Sequence, residues 1–223
     1  MTTLDARQQI LAANQAAAQE LRQRFVAQGT YVVNLISSPG SGKTTLLATL
    51  ARKLGRRQRC AVVVGDIATE LDADRLRAAG MPAHQIVTGG SCHLDARMVA
   101  GALDVARFGM LDLLLIENVG NLVCPANYDL GEHCKMVLLS VTEGADKPFK
   151  YPGIFSKADI AVLTKWDLRN VVPFDERAVV QQIQALRPGG RILRASSITD
   201  EGIDELCTLL EQRVGACKAA AQR

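Results

Sequence analysis

Aromatic residues are scarce in this chain, at 4% of 223 residues with a single Trp. A single-strand nucleic-acid surface needs stacking aromatics, and none cluster here. An excess of one charge is also missing: 26 Lys and Arg against 23 Asp and Glu leave +3, too balanced to point to a polyanionic partner. The basic run Arg52-Lys53…Arg56-Arg57…Arg59 reads as decoration of a helix end and its loop. No apolar run approaches the roughly 18 residues of a membrane span. The first residues, Met1-Thr2-Thr3-Leu4-Asp5-Ala6-Arg7, have no apolar signal core. These absences argue against nucleic acid and membrane as partners and favour a cytoplasmic protein. Six cysteines, Cys60, Cys92, Cys124, Cys134, Cys207 and Cys217, are scattered, which suits a reducing compartment better than a disulfide framework.

What is abundant is aliphatic. Short apolar runs alternate with helical patterns: Tyr31–Ile36, Cys60–Gly65, Gln85–Thr88, Leu111–Ile116, Met136–Val141, Asp159–Leu163 and Ile192-Leu193 as strands, with helices over 4–27, 93–108, 175–186 and 201–214. Such crossovers build an α/β fold, a mainly parallel β-sheet with helices on both faces. Residues 1–30 read as an N-terminal helix packed on or beside the domain, anchored by Leu4, Ile10, Leu11, Leu21 and Phe25 and ended by Gly29. Residues 31–217 form the main domain, and 218–223 a frayed tail.

The most informative stretch is Ser37-Ser38-Pro39-Gly40-Ser41-Gly42-Lys43-Thr44, lying between a strand and a helix that opens with Thr45. This is the architecture of a phosphate-cradling loop, a P-loop NTPase signature. Backbone N–H groups must converge on phosphate oxygens, so Gly40 and Gly42 keep bulk away. Lys43 supplies charge for the β- and γ-phosphates, the Thr44 hydroxyl can ligate Mg²⁺, and the helix N-terminus adds partial positive charge. Pro39 and Ser41 complete the loop, and Ser37 stands where the first glycine is usual.

Functional loops of such sheets lie beyond the carboxyl ends of the strands. Asp66 and Glu117 occupy two of those ends, and one or both should hold Mg²⁺ directly or through water. Asp66 is also placed to orient an attacking water, while Asp72 reads equally as a catalytic acid or a first-turn helix acid. Thr164-Lys165-Trp166-Asp167 follows another strand. The Asp167 carboxylate can accept from both the ring N–H and the exocyclic amine of guanine, with the Lys165 stem over the ring. This resembles the N-K-x-D motif of GTPases, with Thr164 in the place of Asn. Ser196-Ser197 matches the position where GTPases offer a backbone N–H to the guanine carbonyl.

Gly89-Gly90-Ser91-Cys92-His93 sets a thiol beside an imidazole at a helix start, a pair suited to Zn²⁺ or Ni²⁺. Cys124 lies seven residues beyond Glu117, in a loop leaving the same sheet edge, so Cys92, His93 and Cys124 can converge. Three ligands leave an open position for water or for a symmetry mate's ligands. His133 and Cys134 read as solvent-side or core residues, Cys60, Cys207 and Cys217 as structural, and His84 as a loop residue.

Taken in order, Ser37–Thr44, Gly65-Asp66-Ile67-Ala68-Thr69, Gly89–Ala96, Glu117–Pro125 and Val141-Thr142-Glu143-Gly144-Ala145-Asp146-Lys147-Pro148 make the chain resemble the hydrogenase nickel-incorporation GTPases of the HypB type over about residues 10–210. The resemblance implies the dimerising branch of P-loop GTPases and Mg²⁺-dependent hydrolysis of GTP to GDP. It further implies a GTP-favoured homodimer, with Cys92, His93 and Cys124 near the interface. Nickel would pass to the [NiFe]-hydrogenase large subunit, with a HypA-type nickel/zinc accessory protein as partner. Some relatives carry an N-terminal Cys-rich nickel motif or a His-rich stretch. Residues 1–30 here hold neither Cys nor His, which within this sequence excludes a tail-based nickel site and nickel storage in the tail. Three rival readings stand beside this one. A related GTPase serving urease or a cobalamin enzyme is disfavoured because urease-type relatives carry Cys-Pro-His where Cys92 and His93 are adjacent. A small-metabolite kinase would need an acceptor pocket and an Arg-rich lid. A passive nickel or zinc carrier would use more than six Cys and three His.

Overall fold

The computed structural model describes residues 3–67 and 70–222, with side chains from residue 8 onward. Ala68 and Thr69 of the Gly65–Thr69 motif, the Leu4 side chain and Arg223 lie outside the described residues.

Seven strands form one sheet, β1 (Tyr31–Ser37), β2 (Cys60–Asp66), β3 (Ala83–Val87), β4 (Leu113–Glu117), β5 (Cys134–Ser140), β6 (Ile160–Thr164) and β7 (Arg191–Ala195). All neighbours pair in parallel, in the order β3-β2-β4-β1-β5-β6-β7. Every residue of β1, β4 and β6 is buried, as expected of parallel strands covered on both faces. Successive side chains then serve opposite layers. Val33, Leu35, Leu113 and Leu115 pack with Leu46, Leu47 and Leu50 of α2 (Lys43–Leu54), Leu76 of α3 (Leu71–Ala78) and Leu206 and Leu210 of α8 (Ile203–Ala221). Val32, Val63, Leu114 and Ile116 meet Ala18, Leu21 and Phe25 of α1 (Thr3–Gln28) and Val99 of α4 (Ala96–Ala106). Val137, Leu139 and Leu163 meet the short helix α6 (Pro152–Phe155), which follows α5 (Lys147–Lys150), through Ile154 and Phe155, and α7 (Glu176–Leu186) through Val179 and Ile183.

Several elements differ from the sequence-based expectation. In α1 the buried positions are Asn14, Ala18, Leu21 and Phe25, whereas Ile10 is 58% exposed; the buried stripe is narrower and more polar than the apolar residues alone suggested. Helix α4 starts at Ala96 because the Asp95 side chain accepts from Met98 N and caps it. Cys92 and His93 therefore lie in the preceding loop, not in a helix. His84 is in β3. Residues 218–221 are not frayed: α8 continues to Ala221, and Lys218 Nζ sits 3.0 Å from Asp112 Oδ1, which also takes the guanidinium of Arg59 at 2.6 Å.

Candidate functional site

The phosphate loop joins β1 to α2 at the centre of the sheet, between the ends of β4 and β5. Gly40 and Gly42 adopt φ of +75° and +92°, a region that favours glycine. A Cβ at either would meet nothing within 4 Å, so the backbone conformation, not lack of space, calls for glycine here. Lys43 is buried, and its Nζ donates to Ser37 Oγ at 2.8 Å. Ser37, in the first-glycine position, thus gives the lysine a hydroxyl partner within the loop. Burial lowers the Lys43 pKa, while the charges of Glu117, Asp72, Glu143 and Asp66 raise it. Four acids around one buried cation favour a further cation at this spot.

Glu117, at the end of β4, faces the loop. Its Oε1 accepts from Thr44 Oγ1 at 2.9 Å. Its Oε2 is buried without a hydrogen-bond partner among the described residues. Burial pushes the carboxyl up to about 7, opposed by the Lys43 charge and the Thr44 bond. A hydroxyl beside an orphaned buried carboxylate oxygen is a donor set that fits Mg²⁺. Asp66 ends β2 on the same side, and Asp72 lies in the first turn of α3, 3.2 Å from Arg75. Glu143 was not anticipated as a site residue. Its Oε1 accepts from Ser41 Oγ at 2.6 Å and its Oε2 is likewise buried and unpartnered. The signal was there: the Thr142-Glu143-Gly144 turn follows β5, beside the phosphate loop.

The base side is built from the ends of β6 and β7. Thr164 Oγ1 donates to Ser41 O at 2.7 Å, so the residue standing for Asn keeps a donor on the phosphate loop. Lys165 takes φ +53°, and buried Trp166 anchors the turn, with the guanidinium groups of Arg169 and Arg194 5.2 and 5.7 Å from its ring. Asp167 Oδ1 accepts from Ser196 Oγ at 2.5 Å. The Ser196 amide donates to Glu201 O, so Ser196 orients Asp167 and its N–H is engaged within the loop. Ser197, with Thr45, Lys165, Asp167 and Ile198, lines a cleft of about 180 Å³ leading from the loop.

Cys92, His93 and Cys124 come together with ligand atoms all within 4.8 Å, the one such trio among the described residues. The two sulfurs are 2.8 Å apart, and Cys92 Sγ is 3.6 Å from His93 Nδ1. The hydrogen bond from Cys92 and burial push the Cys124 thiol up, and burial lowers His93, favouring the neutral imidazole a metal needs. His133 and Cys134 stay apart from the trio. The His133 ring accepts from Val32 N and lies 4.0 Å from Cys217 Sγ, and Cys134 is buried.

Contacts unforeseen from sequence join the two sites. Asn118, directly after Glu117, accepts from Leu94 N, directly after His93, at 3.1 Å. A Cβ on Gly65 would lie 2.7 Å from Leu94. Tyr128 stacks on His93 with ring centroids 3.8 Å apart. No spacing rule flags Asn118 or Tyr128; only the folded loops bring them to the ligands.

A family model described as "CobW/HypB/UreG, nucleotide-binding domain" matches residues 31–194. The hydrogenase maturation factor HypB of Azotobacter vinelandii is 50% identical over 210 residues, covering 93% of this chain and 69% of that one. A crystal structure of HypB from Helicobacter pylori in complex with nickel superposes with TM-score 0.87 at 42% identity, covering 92% of this chain and 96% of that one. The hydrogenase maturation factor HypB from Archaeoglobus fulgidus gives 0.85 at 36% identity, over 91% and 99%. The chain therefore belongs to the HypB hydrogenase maturation factors, within the CobW/HypB/UreG family.

Proposed function

We propose that the chain acts in hydrogenase maturation as a GTP-hydrolysing nickel metallochaperone. The observation that carries this reading is the seven-residue path from Glu117, held against Thr44, to Cys124, whose sulfur meets Cys92. Phosphate and metal chemistry share one strand end. Thr44 and Glu117, with Asp66 nearby, would hold Mg²⁺, which neutralises charge on the transferring phosphoryl group. Lys43 leaves Ser37 for the phosphates. Asp66 or Asp72 orients the attacking water; positioning and electrostatics supply most of the catalysis in this chemistry. Asp167 and Lys165 select guanine, with Ser197 lining the same cleft.

Nickel is the cargo, taken by Cys92, His93 and Cys124. Three ligands leave a shell that opens easily, as a transferable ion requires. Exposed Ile67, Leu71, Val87 and Val123 flank this edge and suit a second copy of the chain, bringing two trios together. Delivery to the [NiFe]-hydrogenase large subunit, aided by a HypA-type protein, completes the reading. The γ-phosphate orders the Asp66 and Glu117 loops and alters the metal shell through Asn118 and Cys124. Such a switch transmits only if nickel affinity differs between nucleotide states.

The test is Ni²⁺ calorimetry on protein loaded with GDP and then with a non-hydrolysable GTP analogue, with Cys92→Ala as control. The expected result is at least a tenfold difference, about 1.4 kcal/mol, lost in Cys92→Ala. Equal affinities would refute the coupling and leave a passive carrier. Lys43→Ala should abolish phosphate release, whereas Cys92→Ala should retain basal turnover; loss in both would contradict the division of roles.

A further inference from the structure

We infer that Asn14, on the N-terminal helix, is a positioning residue that clamps together the two loops carrying Cys92, His93 and Cys124. The inference rests on the metal reading of that trio. Asn14 is only 6% exposed. Its Nδ2 donates to Asp129 O at 2.9 Å, and its Oδ1 accepts from Ala96 N at 2.9 Å. Ala96 lies three residues past His93 and opens α4; Asp129 lies five past Cys124. Tyr128, next to Asp129, stacks on the His93 ring. One amide thus spans the backbones of both ligand loops.

The position is in phase with Ala18, Leu21 and Phe25, where an apolar side chain would pack without penalty. A buried amide there costs free energy unless both ends are paired. Both are paired, and both partners belong to the metal loops. Other α1 contacts differ. Arg22 takes the Asp129 carboxylate at 2.6 and 2.7 Å but reaches only that loop. Arg24 pairs with Asp104 of α4, and Phe25 packs as an apolar side chain into the sheet layer without a side-chain hydrogen bond to either ligand-loop backbone. Groups bonded directly to a metal-ligating side chain are commonly worth roughly 10–100-fold in affinity; Asn14 holds the backbones of the ligand loops one step further out.

The test titrates Ni²⁺ into nucleotide-free wild type, Asn14→Ala, Asn14→Asp and Phe25→Leu, following thiolate-to-nickel absorption, affinity and melting temperature. Asn14→Ala should bind nickel roughly 10-fold more weakly, the low end of the range for direct partners of a ligand, with an altered band. Asn14→Asp keeps the acceptor for Ala96 N but sets a carboxylate oxygen against Asp129 O, so it should bind nickel at least as weakly as Asn14→Ala; it carries the test if the alanine variant does not fold. Phe25→Leu should melt lower yet keep the wild-type band and affinity. A wild-type band and affinity in both Asn14 variants would overturn the clamp. So would a change in Phe25→Leu equal to that in the Asn14 variants, which would reduce Asn14 to general docking of α1. A wild type with no thiolate band would overturn the metal reading itself, and the clamp with it.

Discussion

A Cβ at Gly120 would lie 3.0 Å from Pro39 Cγ and 3.1 Å from Pro39 Cα and N. Gly120 belongs to the loop between Glu117 and Cys124, and Pro39 to the phosphate loop. Two of the three atoms met are backbone or adjoin it, so relief requires the phosphate loop itself to move. Asn118 and Gly65 fix the other side of the same junction through Leu94. Gly120→Ala should therefore weaken GDP binding and lower stability by about 1–3 kcal/mol, the usual cost of overpacking. The contrasting residue is Gly101 in α4, where a Cβ meets nothing within 4 Å. Gly101→Ala should raise stability by roughly 0.5–1 kcal/mol with GDP affinity unchanged. Chemical denaturation and GDP titration of both variants decide the matter; wild-type GDP affinity in Gly120→Ala would show that the loops are not sterically joined.

At the scale of elements, strands were legible because buried parallel strands read as continuous aliphatic runs; β1, β4 and β6 sit within two residues of their apolar stretches. The start of α4 was not legible as such, since His93 and Leu94 continue its helical pattern until the Asp95 cap is recognised. Helix α3 has few apolar residues and showed in the sequence only as the first-turn alternative for Asp72. The site divides along the same line. Lys43, Thr44, Glu117 and Asp167 follow from local motifs, because a strand end and a tight turn fix their neighbours. Asn14 on α1, and Asn118, Tyr128 and Glu143 on loops, make their contacts with segments distant in sequence. The base cleft belongs to this scale, for it needs β6 and β7 side by side. Asp167, oriented by Ser196, should give guanine preference through two charge-assisted hydrogen bonds of about 1.5–3 kcal/mol each. Asp167→Ala should lose at least tenfold in GDP affinity and leave ADP affinity unchanged. Equal loss for both nucleotides in parallel titrations would count against a role in reading the base.

For the whole molecule, the sheet order places β1 between β4 and β5, so that an acid from each flank, Glu117 and Glu143, comes against the phosphate loop. Burying Glu117 there gives the stability of the protein alone a pH dependence. Burial raises its carboxyl from 4.5 to about 7, with Lys43 and Thr44 opposing. Between those values the folded state holds a proton that the unfolded chain has released. The stabilisation is thus complete below about 4.5 and is lost as pH rises through about 7. A gap of roughly 2.5 pH units at 1.36 kcal/mol each bounds the loss at about 3 kcal/mol. His93 and His133, both lowered mainly by burial, act in the opposite direction as pH rises towards 6.5, so the informative quantity is the difference between wild type and Glu117→Gln. Nucleotide-free Glu117→Gln should gain on wild type as pH climbs from 5 to 8, read as melting temperature. On the proposed role of Glu117 as an Mg²⁺ ligand, the ion and nucleotide would take the ionised carboxylate, so adding both should shrink that gain by stabilising wild type selectively at the upper end. Parallel melting profiles for the two proteins without ligand would mean that Glu117 titrates as an ordinary carboxylate, and its place as a buried, cation-ready group beside Thr44 would be lost.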